Sequence, residues 1–503
     1  MYQDPSPNLS RCHRAAPRFC GLIALCVALT TVTAIQAAMR KTETIGLPRR
    51  RNVVFILADD LGWSDLRCYG ADLHQTPNID RLASQGMRFT NAYAAAPICS
   101  PSRAAIMTGK SPARLHMTIW FEASRRPPPN RRLVPPMTIG NLPHREVTVA
   151  EALKPAGYYT AHVGKWHLGD AAHYPQTQGF DANIGGTFWG APPTYFFPYR
   201  GEFGRERELR YVPHLEGGRP GEYLTDRLTD EALKIIDRVK HRPFFLYLAY
   251  HTVHAPVEGK AHLVEEFRRK LKPTMHHRNP GYAAMVHSLD ENVGRVLGKL
   301  KQSGLDKNTI VIFTSDNGGY INQYHGKVVT NNYPLRSGKG SLYEGGIRVP
   351  LIVRRPADKT GRTCDEPVTF TDFFPTILDL VGITNDVTPN AQRTGLSLRP
   401  LLDDPHAHLP REALYFHYPH YYPTTTPVGA IRAGSWKLLE YFEDNHVELY
   451  NLTGDPREQH DLSNNNQQVA ARLRNKLHAW RKSVHAQMPV PNPKWPRTKR
   501  SRR

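Results

Sequence analysis

Short apolar runs rich in β-branched residues recur along the chain and alternate with amphipathic helical patterns. Such runs are typical of strands that are buried on both faces of a parallel sheet. Thr148 and Glu151 form a helix capping-box signature between two runs, and another helical pattern covers residues 371–380. The alternation predicts an α/β sandwich with a largely parallel central sheet. The predicted strands are residues 53–57, 160–163, 244–249, 309–314 and 349–353.

The pattern changes near residue 400 to shorter units. Residues 430–440 and 448–452 are predicted to be antiparallel strands, and a helix with a regular apolar face follows them. A chain of 503 residues is also longer than one core usually supports. We therefore expect a larger domain over 50–395, a smaller C-terminal α+β domain over 396–488, and a basic disordered tail over 489–503.

The first 38 residues have the pattern of a cleaved export signal. Arginines precede an apolar run at about residues 19–34, and small residues follow at Ala37 and Ala38. A transmembrane anchor is the alternative, but the run is short and is interrupted by threonines. No later segment is apolar enough to span a bilayer, so we expect an exported protein, periplasmic or extracellular, with no transmembrane segment in the mature chain.

The number of cysteines bears on possible disulfide bonds. Removal of the signal leaves Cys68, Cys99 and Cys364, an odd number, and pairing of Cys68 with Cys364 is one open possibility that would leave Cys99 as a free thiol.

The formal net charge of +21 suits a polyanionic partner. Both nucleic acid and sulfated polysaccharide are polyanions, and export favours the polysaccharide, so no nucleic-acid partner is expected.

Acidic and amide side chains follow two of the predicted strands. Asp59 and Asp60 come after the first strand, and Asp316 with Asn317 after the fourth. Ligands of parallel sheets bind at the carboxyl ends of the strands, and these hard oxygen donors suit calcium or magnesium. A single acid at such a position more often caps a helix. Two pairs at separate strand ends favour a metal site.

Bases and cations follow the other strand ends. Lys165 and His167 follow the second predicted strand, and His254 follows the third. All of these residues are expected at the same edge of the sheet as the acids.

Residues 97–109 carry the most specific pattern in the chain. Pro101 is expected to fix a helix start and Ser102 to satisfy free amides, which places Cys99 at a helix amino terminus that favours anions. Arg103 adds a permanently charged donor fork one turn later. The alternative is that Cys99 is a small buried hydrophobic residue.

These residues closely resemble the type I sulfatase family, in its arylsulfatase A-like branch of the alkaline-phosphatase-like superfamily. Residues 99–109 match the signature Cys-x-Pro-Ser-Arg, an apolar pair and Thr-Gly. The resemblance implies an alkaline-phosphatase-like sandwich and a sulfuric ester hydrolase of the arylsulfatase type. It covers nearly the whole mature chain, with further matches at 52–60, 164–169, 315–319, 338–340, 344–346, 436–438 and 448–452.

The resemblance implies that a maturation enzyme converts Cys99 to formylglycine. The hydrated aldehyde would be the nucleophile, and the sulfated diol could later expel sulfate and regenerate the aldehyde. One calcium ion would be held by Asp59, Asp60, Asp316, Asn317 and the modified Cys99.

Roles for the remaining site residues follow from the same resemblance. Arg103, Lys165 and Lys339 would neutralise the sulfate oxygens. His254 would protonate the leaving alcohol and His167 would act as base. Both roles require an imidazole whose pKa lies near the free value of about 6.5. Lys165, His254 and Lys339 are the expected substrate contacts.

The expected substrate is a sulfated carbohydrate or an aryl sulfate, and the resemblance favours galactose or N-acetylgalactosamine sulfates. Aromatic and arginine side chains could line sugar subsites, or they could be loop anchors packed between domains. His254 is followed by one residue and then a proline, whereas His251 is not, so His251 is interpreted as structural. The subsite candidates are residues 416–422, Trp120, Trp189, Tyr195, Arg125, Arg126, Arg131 and Arg132.

Two other functions fit the same sequence. A phosphodiesterase or phosphonate hydrolase of the superfamily can share the nucleophile motif and the metal pocket. A catalytically silent module for sulfated glycans would keep Cys99 unmodified and retain the intact polysaccharide.

Overall fold

The fold is an α/β sandwich joined to a second, smaller sheet. The computed structural model of the protein describes residues 50–204, 207–383 and 393–495, all within a single compact unit. In chain order the strands are Asn52–Ala58 (β1), Met87–Tyr93 (β2), Leu133–Val134 (β3), Tyr159–Gly164 (β4), Ala182–Ile184 (β5), Arg200–Phe203 (β6), Glu208–Tyr211 (β7), Phe244–Ala249 (β8), Thr309–Ser315 (β9), Gln323–Tyr324 (β10), Lys327–Val328 (β11), Arg348–Arg354 (β12), Arg362–Cys364 (β13), Val368–Thr369 (β14), Leu414–Tyr418 (β15), Val428–Ala433 (β16), Trp436–Tyr441 (β17), Val447–Asn451 (β18) and Val490–Pro491 (β19). The α-helices are Pro77–Ala83 (α1), Cys99–Thr108 (α2), Pro112–Leu115 (α3), Phe121–Arg125 (α4), Val149–Leu153 (α5), Leu224–Val239 (α6), Ala261–Lys270 (α7), Pro280–Gln302 (α8), Glu344–Ile347 (α9), Phe373–Leu380 (α10), Arg399–Asp403 (α11) and Gln467–Ser483 (α12).

The central sheet has the strand order β13-β2-β12-β9-β1-β8-β4-β5, and β14 also pairs with β2. The pairs β9-β1, β1-β8, β8-β4 and β4-β5 are parallel, whereas β12 runs antiparallel to both β2 and β9. The strands β1, β8 and β9 are buried along their whole length, as expected for strands covered on both faces. The predicted α/β fold with a largely parallel sheet is confirmed.

Helices cover both faces of the central sheet. Apolar side chains of α2, α5 and α10 pack on one face, and those of α1, α6 and α8 pack on the other. The predicted capping box is present at the start of α5, where Thr148 and Glu151 exchange backbone hydrogen bonds. These helices leave the carboxyl ends of β1, β4, β8 and β9 at one edge of the sheet.

The second sheet is antiparallel, with the order β15-β16-β17-β18, and helix α12 packs on one of its faces. Its other face packs against residues of the larger part, including Tyr93 and Leu342. The prediction of one strand over 430–440 is wrong, because the chain turns at Gly434 with φ +59° and forms the hairpin β16-β17. The division at residues 395 and 396 stays a prediction.

Two short β-pairings lie outside the predicted strands. Strands β6 and β7 form a hairpin, and β19 pairs with β3 inside the predicted disordered tail. The C-terminal segment is therefore described as far as Trp495, while the predicted signal over 1–38 and residues 496–503 lie outside the described residues. No helix in the described ranges is both long and apolar enough to cross a membrane. Cys68, Cys99 and Cys364 are all unpaired thiols.

Candidate active site

The predicted oxygen ligands meet at the carboxyl edge of the central sheet. Asp59 and Asp60 follow β1, while Asp316 and Asn317 follow β9, its parallel neighbour. The backbone N–H of Asp60 donates to Asp316 Oδ1 at 3.1 Å, and Asn317 Nδ2 donates to Asp60 Oδ1 at 2.8 Å. All four side chains belong to residues that are at most 2% exposed. The parallel register thus brings together two pairs that are more than 250 positions apart.

The carboxylate cluster has the chemistry of a site for a hard cation. Burial raises the pKa of Asp59 to about 7, with further contributions from Asp316 and Asp60, although Lys165 lowers it. Asn317 Oδ1 is buried and accepts no hydrogen bond from any described residue. Close carboxylates and an orphaned amide oxygen fit an oxygen-ligated divalent ion such as calcium. The residues predicted to hold the ion therefore fit it.

Three buried cations balance the three carboxylates. Arg103 is fully buried, and its Nη1 also donates to the carbonyl oxygen of Lys165 at 2.8 Å. The buried pairing gives each cation a fixed position near the carboxyl edge of the sheet. The shortest contacts are Lys165 Nζ to Asp59 Oδ2 at 2.7 Å, Lys339 Nζ to Asp60 Oδ1 at 2.7 Å, and Arg103 Nη2 to Asp316 Oδ2 at 2.8 Å.

Cys99 is the first residue of helix α2 and faces the carboxylate cluster. Its Sγ lies 3.6 Å from Asp59 Oδ1 and 4.0 Å from Asp60 Oδ1. Burial raises the pKa of the Cys99 thiol to about 12, although Lys165 and Lys339 lower it. The thiol is therefore protonated near neutral pH, and the thiolate, which is the nucleophilic form of cysteine, is scarce.

The start of helix α2 differs from the sequence-based prediction in one respect. Ile98 is the N-cap residue, and no side chain caps the helix. The Ser102 hydroxyl donates to the carbonyl oxygen of Ala96 at 2.8 Å instead of satisfying helix amides. The prediction for Ser102 is wrong because its position in the first turn points it back at the preceding loop.

The two predicted imidazoles lie beside this cluster. His254 Nδ1 is 2.7 Å from the carbonyl oxygen of Ala255, and Nε2 is 3.6 Å from Asp60 Oδ2. Burial and Lys339 lower the pKa of His254 to about 3. The expectation of a pKa near 6.5 does not hold for this buried, cation-rich environment.

His167 lies in a backbone conformation with φ +61° at the floor of the cleft. Burial, with Lys165 as the next cause, lowers its pKa well below the ordinary value. Its Nδ1 is buried and has no hydrogen-bond partner among the described residues. A Cβ at Gly190 would lie 2.4 Å from His167 Cε1, so only glycine fits over this ring. His167 is a neutral imidazole with an available nitrogen.

Tyr195 anchors the loop that carries His254. Tyr195 is fully buried, and its hydroxyl donates to the carbonyl oxygens of His251 at 2.5 Å and His254 at 2.8 Å. Of the two interpretations, loop anchor therefore applies to Tyr195 and sugar subsite does not. His251 is buried without hydrogen-bond partners on its ring nitrogens in the described ranges, and its structural interpretation stays a prediction.

The loop between β15 and β16 contacts the segment around Lys339 through Tyr422, one of the subsite or loop-anchor candidates, and through Thr424, which sequence reasoning did not assign. Thr424 Oγ1 donates to the carbonyl oxygen of Lys339 at 2.7 Å. Tyr422 packs on Gly340, where φ is +89° and an added Cβ would lie 2.0 Å from the ring. By contrast, Phe416 and Tyr418 are buried in the core between the sheets. No signal in the sequence distinguishes these neighbouring positions, because they differ only in tertiary packing.

A cleft of about 970 Å³ leads outward from Ser100 and His167. Helix α4 supplies one wall with Phe121, Glu122 and Arg125, and Arg126 follows it. The hairpin β6-β7 supplies another wall. Arg131 and Arg132 do not line the cleft. The hairpin residues are Phe203, Gly204, Glu208 and Arg210.

A second cluster of acid and histidine lies behind Asp60. Asp65 accepts hydrogen bonds from the Gly62 backbone, the Tyr282 hydroxyl at 2.6 Å and Thr330. His277 Nε2 is 3.2 Å from Asp65 Oδ1, and Nδ1 is 2.8 Å from Asp72 Oδ1. The cluster, which also includes His74, is a hydrogen-bonded charge network.

This sheet and this cluster of buried acids and cations at its carboxyl edge define a hydrolase of the alkaline-phosphatase-like superfamily. The sulfatase family model matches residues 51–383, and the model of the N-sulphoglucosamine sulphohydrolase C-terminal region matches residues 338–483. The chain belongs to the sulfatase family and is a sulfuric ester hydrolase.

Individual relatives support the same assignment. A sulfatase of Formosa agariphila is 32% identical, over 86% of this chain and 89% of its own length. Human N-acetylgalactosamine-6-sulfatase is 35% identical over 71% of this chain and 66% of its own. The crystal structure of Ps i-CgsB in complex with k-i-k-neocarrahexaose superposes with a TM-score of 0.71 and 30% identity, over 86% of this chain and 93% of that one.

Proposed function

We propose that the protein removes sulfate from sulfated carbohydrates, using a formylglycine made from Cys99 and one calcium ion. The observation that carries the proposal is the meeting of Cys99, three carboxylates and three cations at one buried point. Sulfate is a tetrahedral anion, and the fixed positive charges of a buried site stabilise its oxygen atoms. This stabilisation is greatest in the transition state, where charge develops on those atoms.

The chemistry of residue 99 supports its modification. With its pKa raised to about 12, the Cys99 thiol is a poor nucleophile near neutral pH. As a hydrated aldehyde, residue 99 would supply a hydroxyl oxygen that attacks sulfur. An ester of this diol can afterwards break its carbon–oxygen bond to sulfate, which regenerates the aldehyde and splits hydrolysis into two steps.

Two imidazoles would handle the protons. In the first step the sulfur–oxygen bond to the alcohol breaks, and His254, positively charged when an anionic substrate raises its pKa, donates a proton to the leaving oxygen. In the second step His167 takes the proton from the remaining hydroxyl of the sulfated diol while sulfate leaves. The available Nδ1 of His167 in the described structure is consistent with an acceptor role.

Asp59, Asp60, Asp316 and Asn317 would hold the calcium ion together with modified residue 99. When bound, calcium supplies positive charge and orients oxygen atoms. Arg103, Lys165 and Lys339 would contact the sulfate oxygens, since each lies within 2.9 Å of a carboxylate of the same cluster. The proposed catalytic residues are Cys99, Arg103, Lys165, His167, His254 and Lys339.

The cleft favours a carbohydrate over a small aryl group. Its volume of about 970 Å³ is at the upper end of small-ligand sites. Phe121 and Phe203 offer faces for stacking on sugar rings, Glu122 and Glu208 offer acceptors for hydroxyls, and arginines offer contacts to further anionic groups. A relative named N-acetylgalactosamine-6-sulfatase supports a galactose-type or N-acetylgalactosamine sulfate.

The same proposal places the mature protein outside the cytoplasm, in the periplasm or the extracellular space, after removal of residues 1–38. A maturation enzyme would convert Cys99 during or before export. The basic residues and the apolar run within the first 38 residues support this setting.

The decisive experiment combines peptide mass spectrometry on residue 99 with turnover of 4-nitrophenyl sulfate. We expect an aldehyde at residue 99 in protein made with a maturation enzyme, and loss of turnover in Cys99→Ala. Cys68→Ala is the matched control, because it removes another thiol at a distance from the cluster. Full turnover by protein with an unmodified thiol would refute the formylglycine proposal.

Substrate class is tested separately. We expect 6-sulfated N-acetylgalactosamine or galactose oligosaccharides to release sulfate, and 4-nitrophenyl phenylphosphonate to react more slowly than the aryl sulfate at equal calcium. Faster phosphonate turnover would favour the phosphonate hydrolase alternative. Tight retention of a sulfated glycan without any hydrolysis would favour the silent binding module.

A further inference from the structure

A basic face lies beside the cleft, and one of its residues, Arg125, also lines the cleft. It consists of Arg125 at the end of helix α4, Arg131 and Arg132 in the following loop, and Lys494 with Trp495 in the C-terminal segment. All five residues are exposed, Trp495 by 40%. We propose that this basic face binds the sulfated polysaccharide chain beyond the sugar being desulfated, so that the enzyme holds a polymer more tightly than a short substrate.

The C-terminal segment is fixed beside the arginines by backbone contacts. Strand β19 pairs with β3, Asn492 N donates to the carbonyl oxygen of Arg132 at 2.9 Å, and Asn492 Nδ2 donates to that of Arg131 at 2.8 Å. The Tyr421 hydroxyl accepts from the backbone N–H of Leu133 at 3.1 Å. The backbone of the face is therefore ordered while its charged side chains project outward.

The arginines of this face form no ion pairs with the residues that the structure describes. Within the described ranges, no carboxylate lies within 4.0 Å of Arg125, Arg131 or Arg132. Many other surface arginines are paired, for example Arg210 with Glu208 at 2.7 Å. Unpaired guanidinium groups are available for bidentate contacts to sulfate.

Two acids beside this face, Glu443 and Asp444, are hydrogen-bonded to residues other than its arginines. Glu443 accepts from the Tyr421 hydroxyl at 2.6 Å, and Asp444 pairs with His446 at 2.5 Å. Arg131 lies over the Tyr421 ring, 5.1 Å from its centroid, which orients the guanidinium without neutralising it. Four basic side chains, Arg125, Arg131, Arg132 and Lys494, stand against these two acids, so the net charge of the face is positive.

Helix α4 and the loop that follows it connect the basic face with the cleft. Arg125 lines the cleft that reaches Ser100 and His167, and the loop that carries Arg131 and Arg132 continues from the same helix. A polymer with one residue in the cleft would continue over this loop. Exposed Trp495 offers a stacking surface for a sugar ring, and the proposed export of the protein favours a polysaccharide over nucleic acid. The inference rests on the proposed carbohydrate substrate.

The test compares two charge-reversed full-length variants. The test variant is R131E/R132E. The control is R238E/K301E, whose exposed residues lie near the ends of helices α6 and α8, which lead to the amino ends of β8 and β9. Both changes alter the net charge equally. Binding to dextran sulfate and turnover of 4-nitrophenyl sulfate are measured over a range of salt.

We expect R131E/R132E to bind dextran sulfate at least ~10-fold more weakly at low salt, with a shallower salt dependence, because fewer counterions are released. Its aryl sulfate turnover should equal that of the unaltered enzyme, and R238E/K301E should bind like that enzyme. R131Q/R132Q, which adds no negative charge, should lose affinity in the same direction by a smaller factor.

Three results would overturn the proposal. These are unchanged dextran sulfate binding in both loop variants, an equal loss in R238E/K301E, or tighter binding of duplex DNA than of dextran sulfate at equal ionic strength. Failure of the carbohydrate substrate proposal is separate, because it would appear as absent sulfate release from sulfated oligosaccharides in the unaltered enzyme.

Discussion

Replacement of Lys437 by methionine tests what joins the second sheet to the active-site edge. Lys437 Nζ lies 2.9 Å from Glu344 Oε1 and 2.8 Å from Glu458 Oε1, and all three side chains are fully buried. Burial, opposed by Lys437, raises the pKa of Glu458 to about 7, while Lys437 and Arg348 lower the pKa of Glu344 to about 2 against the effect of burial. One cation thus stabilises two adjacent acids.

The magnitude follows from these distances. At 2.9 Å and an effective dielectric constant of about 20, each lysine–carboxylate attraction is worth about 6 kcal/mol. The desolvation of three buried charges and the repulsion between the two acids offset most of this sum. Removing one partner of a buried ion pair typically costs about 3–5 kcal/mol, because a charge is left without a partner. We expect K437M to lose this much free energy of unfolding.

Urea denaturation followed by tryptophan fluorescence measures the loss. The double variant K437M/E458Q should recover more than half of it, because Glu344 keeps Arg348 at 3.5 Å. Aryl sulfate turnover should also fall in K437M, since Gly346, two residues after Glu344, accepts a hydrogen bond from Gly318 next to the metal cluster. A loss below ~1 kcal/mol in K437M would contradict the charge argument.

Three further predictions concern the site and its support. Arg103→Lys should lower kcat by about 10²–10³ with little change in the thermal midpoint, because lysine keeps the charge but cannot keep the contact of two nitrogens to Asp316 Oδ2; steady-state kinetics and thermal denaturation check both parts. Chelation of calcium should lower the thermal midpoint and abolish turnover, and calcium, but not zinc, should restore both; recovery with zinc alone would contradict the ligand assignment. Hydrogen bonds from His277 to Asp65 and Asp72 raise its pKa above the ordinary 6.5 although burial opposes this, so the stabilisation is complete below pH 6.5 and is lost as pH rises through the raised value. The thermal midpoint of H277Q should therefore differ from that of the unaltered protein more at pH 6 than at pH 9, and an equal difference at both would show that the charge plays no part.

Local sequence patterns were sufficient to predict the strands and the residues that follow them. Burial on both faces demands continuous apolar runs, so β1, β4, β8, β9 and β12 differ from their predicted bounds by at most one residue at either end. The capping box at Thr148 was equally readable, because its partners are three residues apart. The resemblance added Lys339, which follows no predicted strand.

Patterns of the same kind failed where the environment comes from distant parts of the chain. Tyr195 and Tyr422 have similar local sequences of aromatic and proline residues, yet one is buried under the histidine loop and the other packs on Gly340. The pKa of His254 depends on Lys339 and on burial, and neither is visible in the residues around it. The strand at residues 490–491 depends on a partner more than 350 positions away.

The amino-acid sequence was enough to predict the type of sheet, the order of the chemical groups along the chain, and the groups available for a metal and an anion. Which of these groups meet depends on the folded chain, because contacts such as Asp60 with Asp316 and Thr424 with Lys339 join segments that no local pattern relates. Short-range rules fix backbone conformation and amphipathic faces, whereas the protonation of buried groups and the shape of the cleft depend on atoms brought together by folding.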